Sequence, residues 1–382
     1  MTSTLINVAE TFGLTDDQTL AGPSPLARRQ YTPRRSQAIV EAATLWKRVF
    51  DGDIRAAVQV KEALSTSDLF VSATGDVLDR ELLQQYTSVQ AEWSGFATRT
   101  LVRNFKPKKM VDILGGRTGL DLVPELTAYP GADYDTREFQ IQVAKFGRQF
   151  GFSWEAMVND DLDELMQIPN AFGQAATLTE DIKALEQIAN ANGSPNTAFF
   201  KDYSAVDGYV GTGLNTTPVA GALNQANLQA AVEAVRQRKD AEGNIIPAGQ
   251  LILVVGPAQE FNARAILNAT EIRDTSGSRT IIRPNDLRGT VELVVLSRLP
   301  GLAWFVLPKP NQGRPAVAVA FLRGFETPDI RRKDGAGSRV GGGTVDPGDG
   351  DFDDDSVRYR VRHVTGAAQV DPTHTYAGTG TA

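Results

Sequence analysis

The stretch that most constrains the fold runs from Tyr134 to Asn192, where a long amphipathic strand leads into a long helix. Phe139, Ile141 and Val143 alternate with Gln140 and Gln142, the period of a strand with one solvated face. Beyond Lys145 the apolar positions become Phe146, Phe150 and Phe152. The parity has changed, so a bulge or sharp twist near Ala144 is expected to keep the apolar side facing one way. Ser153 offers an N-cap to a short turn. Leu162, Leu165, Met166, Pro169, Phe172, Ala176, Leu178, Ile182, Leu185 and Ile188 then recur mostly at steps of three and four, which predicts one long helix with a buried stripe.

The chain is 382 residues long and 41% hydrophobic, enough for two or three units with real cores. Its net charge of -7 and pI near 5.1 argue against a dedicated nucleic-acid binder, which would carry a basic footprint. With no cysteine, disulfides, thiolate nucleophiles and cysteine metal sites are excluded, and assembly in a reducing cytoplasm is consistent. The start "MTSTLINVAETFGLTDDQTL" has no basic lead or sustained apolar core, and no apolar run reaches the roughly 18 residues of a membrane span. A soluble protein with no membrane partner is expected.

Residues 1–35 read as poorly structured and end in "ARRQYTPRR". Arg28, Arg29, Arg34 and Arg35 suit either a solvated arm making subunit contacts or a contact with nucleic acid or a scaffold. Ser36 caps a helix with Ile39, Ala43, Trp46 and Phe50 on one face, and Asp53 caps a second with Ile54, Ala57, Val58 and Leu64. Between Met110 and Arg137, Gly115, Gly116, Gly119, Pro124, Pro130 and Gly131 punctuate an extended excursion with little core of its own. After the long helix, Asn192, Gly193, Ser194 and Pro195 supply stop chemistry. Leu223 to Val235 predicts a helix, "LILVV" from Leu251 to Val255 a fully buried strand, and Pro257 opens another helix to about Asn268. "VELVVL", "AWFVL" and "AVAVAFL" (291–296, 303–307 and 316–322) add three strands. In "VRYRVRHV" (357–364), Arg358, Arg360 and Arg362 share one face, and Val357, Tyr359, Val361 and His363 the other. Three arginines in a row repel one another and need nearby carboxylates or full solvent.

Motifs that would carry chemistry fail on context. "GAGSRVG" (335–341) matches a loose dinucleotide fingerprint, but no buried strand precedes it and no helix can follow. No P-loop or G-x-S-x-G elbow occurs. The acidic run Asp349, Asp351, Asp353, Asp354 and Asp355 could attract a cation. As an EF-hand loop, however, it places Asp354 where glycine is needed and Arg360 where glutamate is needed. A solvated hairpin tip is the simpler expectation. His363 reads as a packed histidine and His374 as a mobile one in a Gly, Thr and Ala tail. Paired carboxylates for hydrolysis cannot be picked out among 46 acidic residues.

Several segments carry a family resemblance. "KFGRQFGFSWEAMVNDDLDELMQIPNAFGQAA", with Asp160 and Asp161 before Leu162 and a proline beyond, is similar to the return of the extended E-loop and the start of the spine helix in tailed-phage major capsid proteins. "STSDLFVSATGDVLDRELLQQYTSVQAEWSGFATRTLVRNFKPKKMVDI" resembles that family's N-arm: a Ser-Asp start, an acidic helix ending at Tyr86, then Trp93 and a basic strand. The block to Leu322 is similar to its A-domain, and "VRYRVRHV" followed by "TGAAQVD" to the last long strand of its P-domain. The resemblance covers residues 65 to about 372.

It implies an α+β chain with the tailed-phage major capsid fold, named for phage Hong Kong ninety-seven. The expected order is an N-terminal extension of two short helices (1–64), N-arm (65–104), E-loop hairpin (105–152), P-domain with spine helix (153–223), A-domain (224–324) and a return to the P-domain with a long strand and C-terminal tail (325–382). The implied function is structural, with no catalytic residue, metal or cofactor. Copies form hexamers and pentamers of an icosahedral shell around double-stranded DNA, which is touched non-specifically. A portal protein and a cement or decoration protein are implied partners. The hairpin is expected to lie on the adjacent subunit. Expected inter-subunit contacts are Arg358, Arg360 and Arg362, whose carboxylates would come from another subunit, around Asp351 and Asp353, together with Arg137 and Glu125. Some members crosslink through a hairpin lysine, but none occurs from Val111 through Ala144, so a shell without such crosslinks is expected. An encapsulin-like cargo compartment and a soluble α+β hydrolase are the alternative readings.

Overall fold

The computed structural model describes residues 82–115, 122–125, 134–153, 162–207, 209–276, 279–312, 314–333 and 356–381, with single helical positions at Leu45, Arg48, Arg55 and Gln59. Those four positions fall on the two helices expected before residue 65. The basic arm, the glycine motif at 335–341 and the acidic run at 349–355 lie outside the described residues.

The elements are β1 (Thr98–Val102), β2 (Lys108–Gly115), β3 (Tyr134–Ile141), β4 (Ala144–Ser153), α1 (Leu162–Ile188), α2 (Gln225–Arg236), β5 (Leu251–Val255), α3 (Pro257–Asn268), β6 (Glu271–Ser276), β7 (Arg279–Pro284), β8 (Val291–Val295), β9 (Trp304–Pro308), β10 (Val317–Leu322), β11 (Asp329–Arg332), β12 (Ser356–Gln369) and β13 (Tyr376–Gly378). They form two compact units, one of residues 1–90, 145–177 and 324–364, the other of 91–144, 178–323 and 365–382.

In the first unit β12 pairs antiparallel with β11 from Tyr359 to Arg362, and β4 also pairs with β12. Alternation along the strands sorts their side chains. Phe150 stacks between Phe172 of α1 and Tyr359, with ring centroids 5.2 and 5.3 Å away, while Arg358, Arg360 and Arg362 occupy the opposite parity. Gly147 is required where β4 meets β12, because a Cβ there would lie 2.5 Å from the Val361 carbonyl oxygen. His363 is buried as expected, 5.8 Å from the Tyr86 ring.

The second unit is built on the four-stranded sheet β13-β9-β5-β8. β5 is parallel to β8 and antiparallel to β9. β5 and β9 read as continuous apolar runs because both of their faces are covered. Leu251, Leu253, Val255 and Val306 pack with Leu228, Val232 and Val235 of α2 and Ala263 and Leu267 of α3. Ile252, Val254, Phe305 and Leu307 pack with Phe199, Phe200, Trp93 and the end of α1 at Ala184 and Ile188. At about 1.5–3 kcal/mol per buried large side chain, these layers supply the unit's main stabilisation. α2 starts where the Asn224 side chain accepts the Asn227 N–H at 2.8 Å, and α3 where Pro257 fixes the first turn. β10 lies parallel to β1 and antiparallel to Thr365–Gln369 of β12.

Three expectations need revision. The change of parity after Val143 is a strand end, not a bulge: Gln142 and Val143 separate β3 from β4. Along α1, Ile182 is 36% exposed while Glu180 is 1% exposed, because the buried line follows Ala176, Glu180, Ala184 and Ile188 at steps of four. The third correction is His374, which is no mobile residue. It is 4% exposed, its Nε2 lies 3.3 Å from the Ile246 carbonyl oxygen, and β13 anchors the segment after it against β9.

Candidate inter-subunit contact site

β2 and β3 form a ribbon from Lys108 opposite Ile141 to Gly115 opposite Tyr134. Among the described residues it pairs with no third strand. Its base is tied down: the Lys108 ammonium donates to the Leu101 carbonyl at 3.2 Å, and the Gln142 amide to that of Phe105 at 2.9 Å. Lys109 and Glu138 make an exposed ion pair at 2.6 Å, of small worth in water. Arg137 stands opposite Asp112 in this ribbon, and Glu125 lies in the exposed segment 122–125, where Leu122 is 95% exposed. An isolated two-stranded ribbon is marginal in water, so this one is suited to gaining buried area on another surface.

The arginine row of β12 is built as its alternation predicts, but one partner comes from its own chain. Arg362 grips Asp329 through two bonds, Nε to Oδ1 at 3.0 Å and Nη2 to Oδ2 at 2.8 Å, and its guanidinium lies 5.3 Å from the Phe325 ring centroid. Asp329 also accepts from Arg331 Nε at 2.9 Å. Arg358 donates from Nε to the Ser356 hydroxyl at 2.9 Å. Arg360 is exposed. The expectation that another subunit supplies the carboxylate is therefore corrected for Arg362. Asp351 and Asp353 lie outside the described residues. Asp329, Arg331 and Lys333 are further charged residues of this face, and their period-2 spacing in "DIRRK" mirrors that of "RYRVR".

The buried and half-buried carboxylates of the second unit are fastened to backbone, ring and guanidinium donors. Glu180 accepts the Trp93 indole N–H at 2.8 Å, Asp181 accepts the Trp93 backbone N–H at 2.9 Å, and Glu92 accepts that of Ser297 at 2.9 Å. Burial raises the Asp181 carboxyl to about 6, helped by the charges of Glu92 and Glu180. Asp371, 3% exposed, accepts from Arg314 Nη1 at 3.1 Å and from the Thr373 N–H at 2.9 Å. Burial, then the Asp371 charge, pushes the Tyr203 phenol up to about 12. Burial holds His374 below its usual value. These contacts cross-brace the core. Among the described residues no group of three or more His, Cys, Asp or Glu side chains could hold a metal ion, and no helix is long and apolar enough to cross a membrane.

Residues 136–378 match the sequence model of the family described as phage capsid protein. No curated protein matches the chain. Similar solved structures include one of Mycobacterium phage Patience (12% identity, 84% of this chain and 87% of that one, TM-score 0.44), the capsid structure of Cyanophage P-SCSP1u (11%, 74% and 86%, 0.43) and a virus-like particle from Pyrococcus furiosus (10%, 80% and 98%, 0.41). The match over more than half of its length makes this chain a member of the phage capsid protein family. It is a structural major capsid protein with an α+β fold, and a component of the virion.

Proposed function

We propose that copies of this chain assemble as hexamers and pentamers into an icosahedral shell that encloses double-stranded DNA. The observation that carries this reading is the β2–β3 ribbon, a two-stranded arm 8 residues long on each side that pairs with no third strand among the described residues. Laid on an adjacent subunit, such an arm gains the burial it lacks alone. Each subunit closes several such contacts at once, and avidity stabilises the lattice even where single contacts are weak. In this reading 65–104 is the N-arm, 105–152 the E-loop, 153–223 the P-domain with α1 as spine, 224–324 the A-domain and 325–382 the return to the P-domain, with Arg137 and Glu125 of the arm among the inter-subunit contacts. A portal protein occupies one vertex, a cement protein can reinforce the outside, and assembly takes place in the host cytoplasm before DNA is packaged against a net negative wall.

Electron microscopy of the purified protein tests this directly. Particles of megadalton mass are expected from the wild type, and a folded subunit without particles from a variant lacking 112–137. A compact monomer or dimer from the wild type would overturn the reading. An enzyme rather than a genome inside native particles would transfer it to a cargo compartment.

A further inference from the structure

Positive charge gathers at one corner of the second unit, where β1 and β10 end side by side and the chain turns into the ribbon. Residues 103–107 join β1 to β2. The Arg323 N–H bonds the Val102 carbonyl at 2.9 Å, which places Arg323 beside Arg103, just beyond the paired strand ends Val102 and Leu322. Arg103, Lys106 and Arg323 are exposed, and among the described residues none of the three has an ion-pair partner. Lys108 and Lys109 are not counted with them, since the first donates to the Leu101 carbonyl and the second is paired with Glu138. No aspartate or glutamate occurs from Trp93 through Val111 or from Trp304 through Arg323. The same corner shows water two large apolar side chains, Leu101 at 41% and Phe105 at 47% exposure. Its backbone is tied in place, the Lys106 N–H bonding the Asn104 side chain at 3.1 Å and the Phe105 carbonyl accepting the Gln142 amide at 2.9 Å.

We propose that this corner seats an acidic surface of a second copy of the chain, an inference that rests on the shell reading above. Charge complementarity names the occupant. With the three cations set aside, each copy holds 46 acidic side chains against 36 basic ones, 39 less three, so the surface a neighbour brings carries an excess of carboxylates. Opposite charge steers the encounter, and charge-assisted bonds from ammonium and guanidinium groups hold it. Position makes the same case. β2 starts at Lys108, so a ribbon laid on an adjacent subunit carries its own base to that subunit's surface, and there Leu101 and Phe105 gain the burial they lack alone. Packaged duplex DNA is the poorer match. Its phosphates would satisfy the cations but leave Leu101 and Phe105 idle, because an aromatic ring stacks only on bases that are unpaired. An acidic protein surface mixes carboxylates with apolar groups and engages both kinds of side chain.

Wild-type particles supply the first test. Light-nitrogen and heavy-nitrogen subunits are mixed, assembled without nucleic acid and treated with a water-soluble carbodiimide, which condenses an ammonium and a carboxylate in contact into an amide. Mass spectrometry is expected to find peptides crosslinked through Lys106 that join a light partner to a heavy one. Acetylation of Lys106 is expected to be roughly tenfold slower in these particles than in free subunits. Crosslinks joining only like labels, or a Lys106 as reactive in particles as in free subunits, overturn the proposal. In parallel, Arg103→Glu with Arg323→Glu is expected to lower the yield of nucleic-acid-free particles by roughly tenfold or more, and Arg103→Lys with Arg323→Lys to retain it. Wild-type yield from the reversed pair, or a loss confined to the DNA content of particles from infected cells, overturns the proposal. Should the reversed pair fail to fold, the crosslink and the acetylation rate in the wild type decide. A wild type that forms no particles overturns the shell reading and this proposal together, whereas particles with an unprotected Lys106 overturn this proposal alone.

Discussion

Trp93 gives its indole N–H to Glu180 across 2.8 Å, with both side chains at least nine-tenths buried. The bond joins the short helical turn before β1 to α1, residues 87 positions apart in sequence, and so fixes the turn that aims the chain at its ribbon. Trp93→Phe keeps the ring packed against Phe321 but removes the donor from a buried carboxylate. A loss of about 2 kcal/mol is expected. Thermal melting should show it as a fall of roughly 4–8 °C.

Asp181 responds to pH in a defined direction. Its folded value is raised to about 6 from 3.8, so the folded state binds its proton more tightly than the unfolded state does. Its contribution to stability is full below 3.8 and is lost as pH rises through 6. Asp181→Asn keeps an acceptor for the Trp93 N–H without the charge. It is expected to melt above the wild type at pH 7.5 and to converge with it below pH 4, in melting curves taken across that range.

His374 acts in the opposite sense. Burial lowers its folded value below 6.5, so its contribution is full above 6.5 and is lost as pH falls toward the folded value. Replacement by Gln keeps a donor toward the Ile246 carbonyl and cannot titrate. The variant should lose less melting temperature than the wild type between pH 7 and pH 5. An equal loss in both would remove His374 as a cause of acid sensitivity.

Gly147 leaves no room for a side chain, the nearest obstacle being the Val361 backbone 2.5 Å from the Cβ position. Neither strand can move without breaking its pairing. Gly147→Ala is expected to cost about 1–3 kcal/mol, as overpacked cores do, and hydrogen exchange should show faster opening of β4 and the first half of β12.

Because the segment from Val111 through Ala144 has no lysine, boiled wild-type particles should resolve to one band near 41.2 kDa. A covalent ladder would contradict that expectation.

What could be read from the sequence follows from where the physics is local. "LILVV" and "VRYRVRHV" announced strands because burial on two faces and on one face leave different alternations, and Pro257 sits where a helix start needs it, whereas the cap at Asn224, one residue beyond the expected start at Leu223, was not marked by any period. The β6–β7 ribbon leaves no period in the sequence: Arg273, Asp274, Arg279 and Arg283 interrupt any apolar alternation, and the two strands hold each other only through their backbone pairing. β13 escaped notice because three residues, Tyr376, Ala377 and Gly378, are too few for a period and owe their place to β9. Glu180 could have been found from steps of four along α1, but a charged letter at a core position does not reveal that an indole 87 residues earlier answers it. Asp329 was equally silent, since neutralising Arg362 requires a pairing 33 residues apart.

The chain passes between its two compact units five times, at 90/91, 144/145, 177/178, 323/324 and 364/365, and two of these passages fall inside the continuous elements α1 and β12. Neither unit corresponds to one uninterrupted stretch of the gene. A single recombination between related genomes cannot exchange one unit and leave the other whole, so the two halves of this protein are inherited, and must diversify, together.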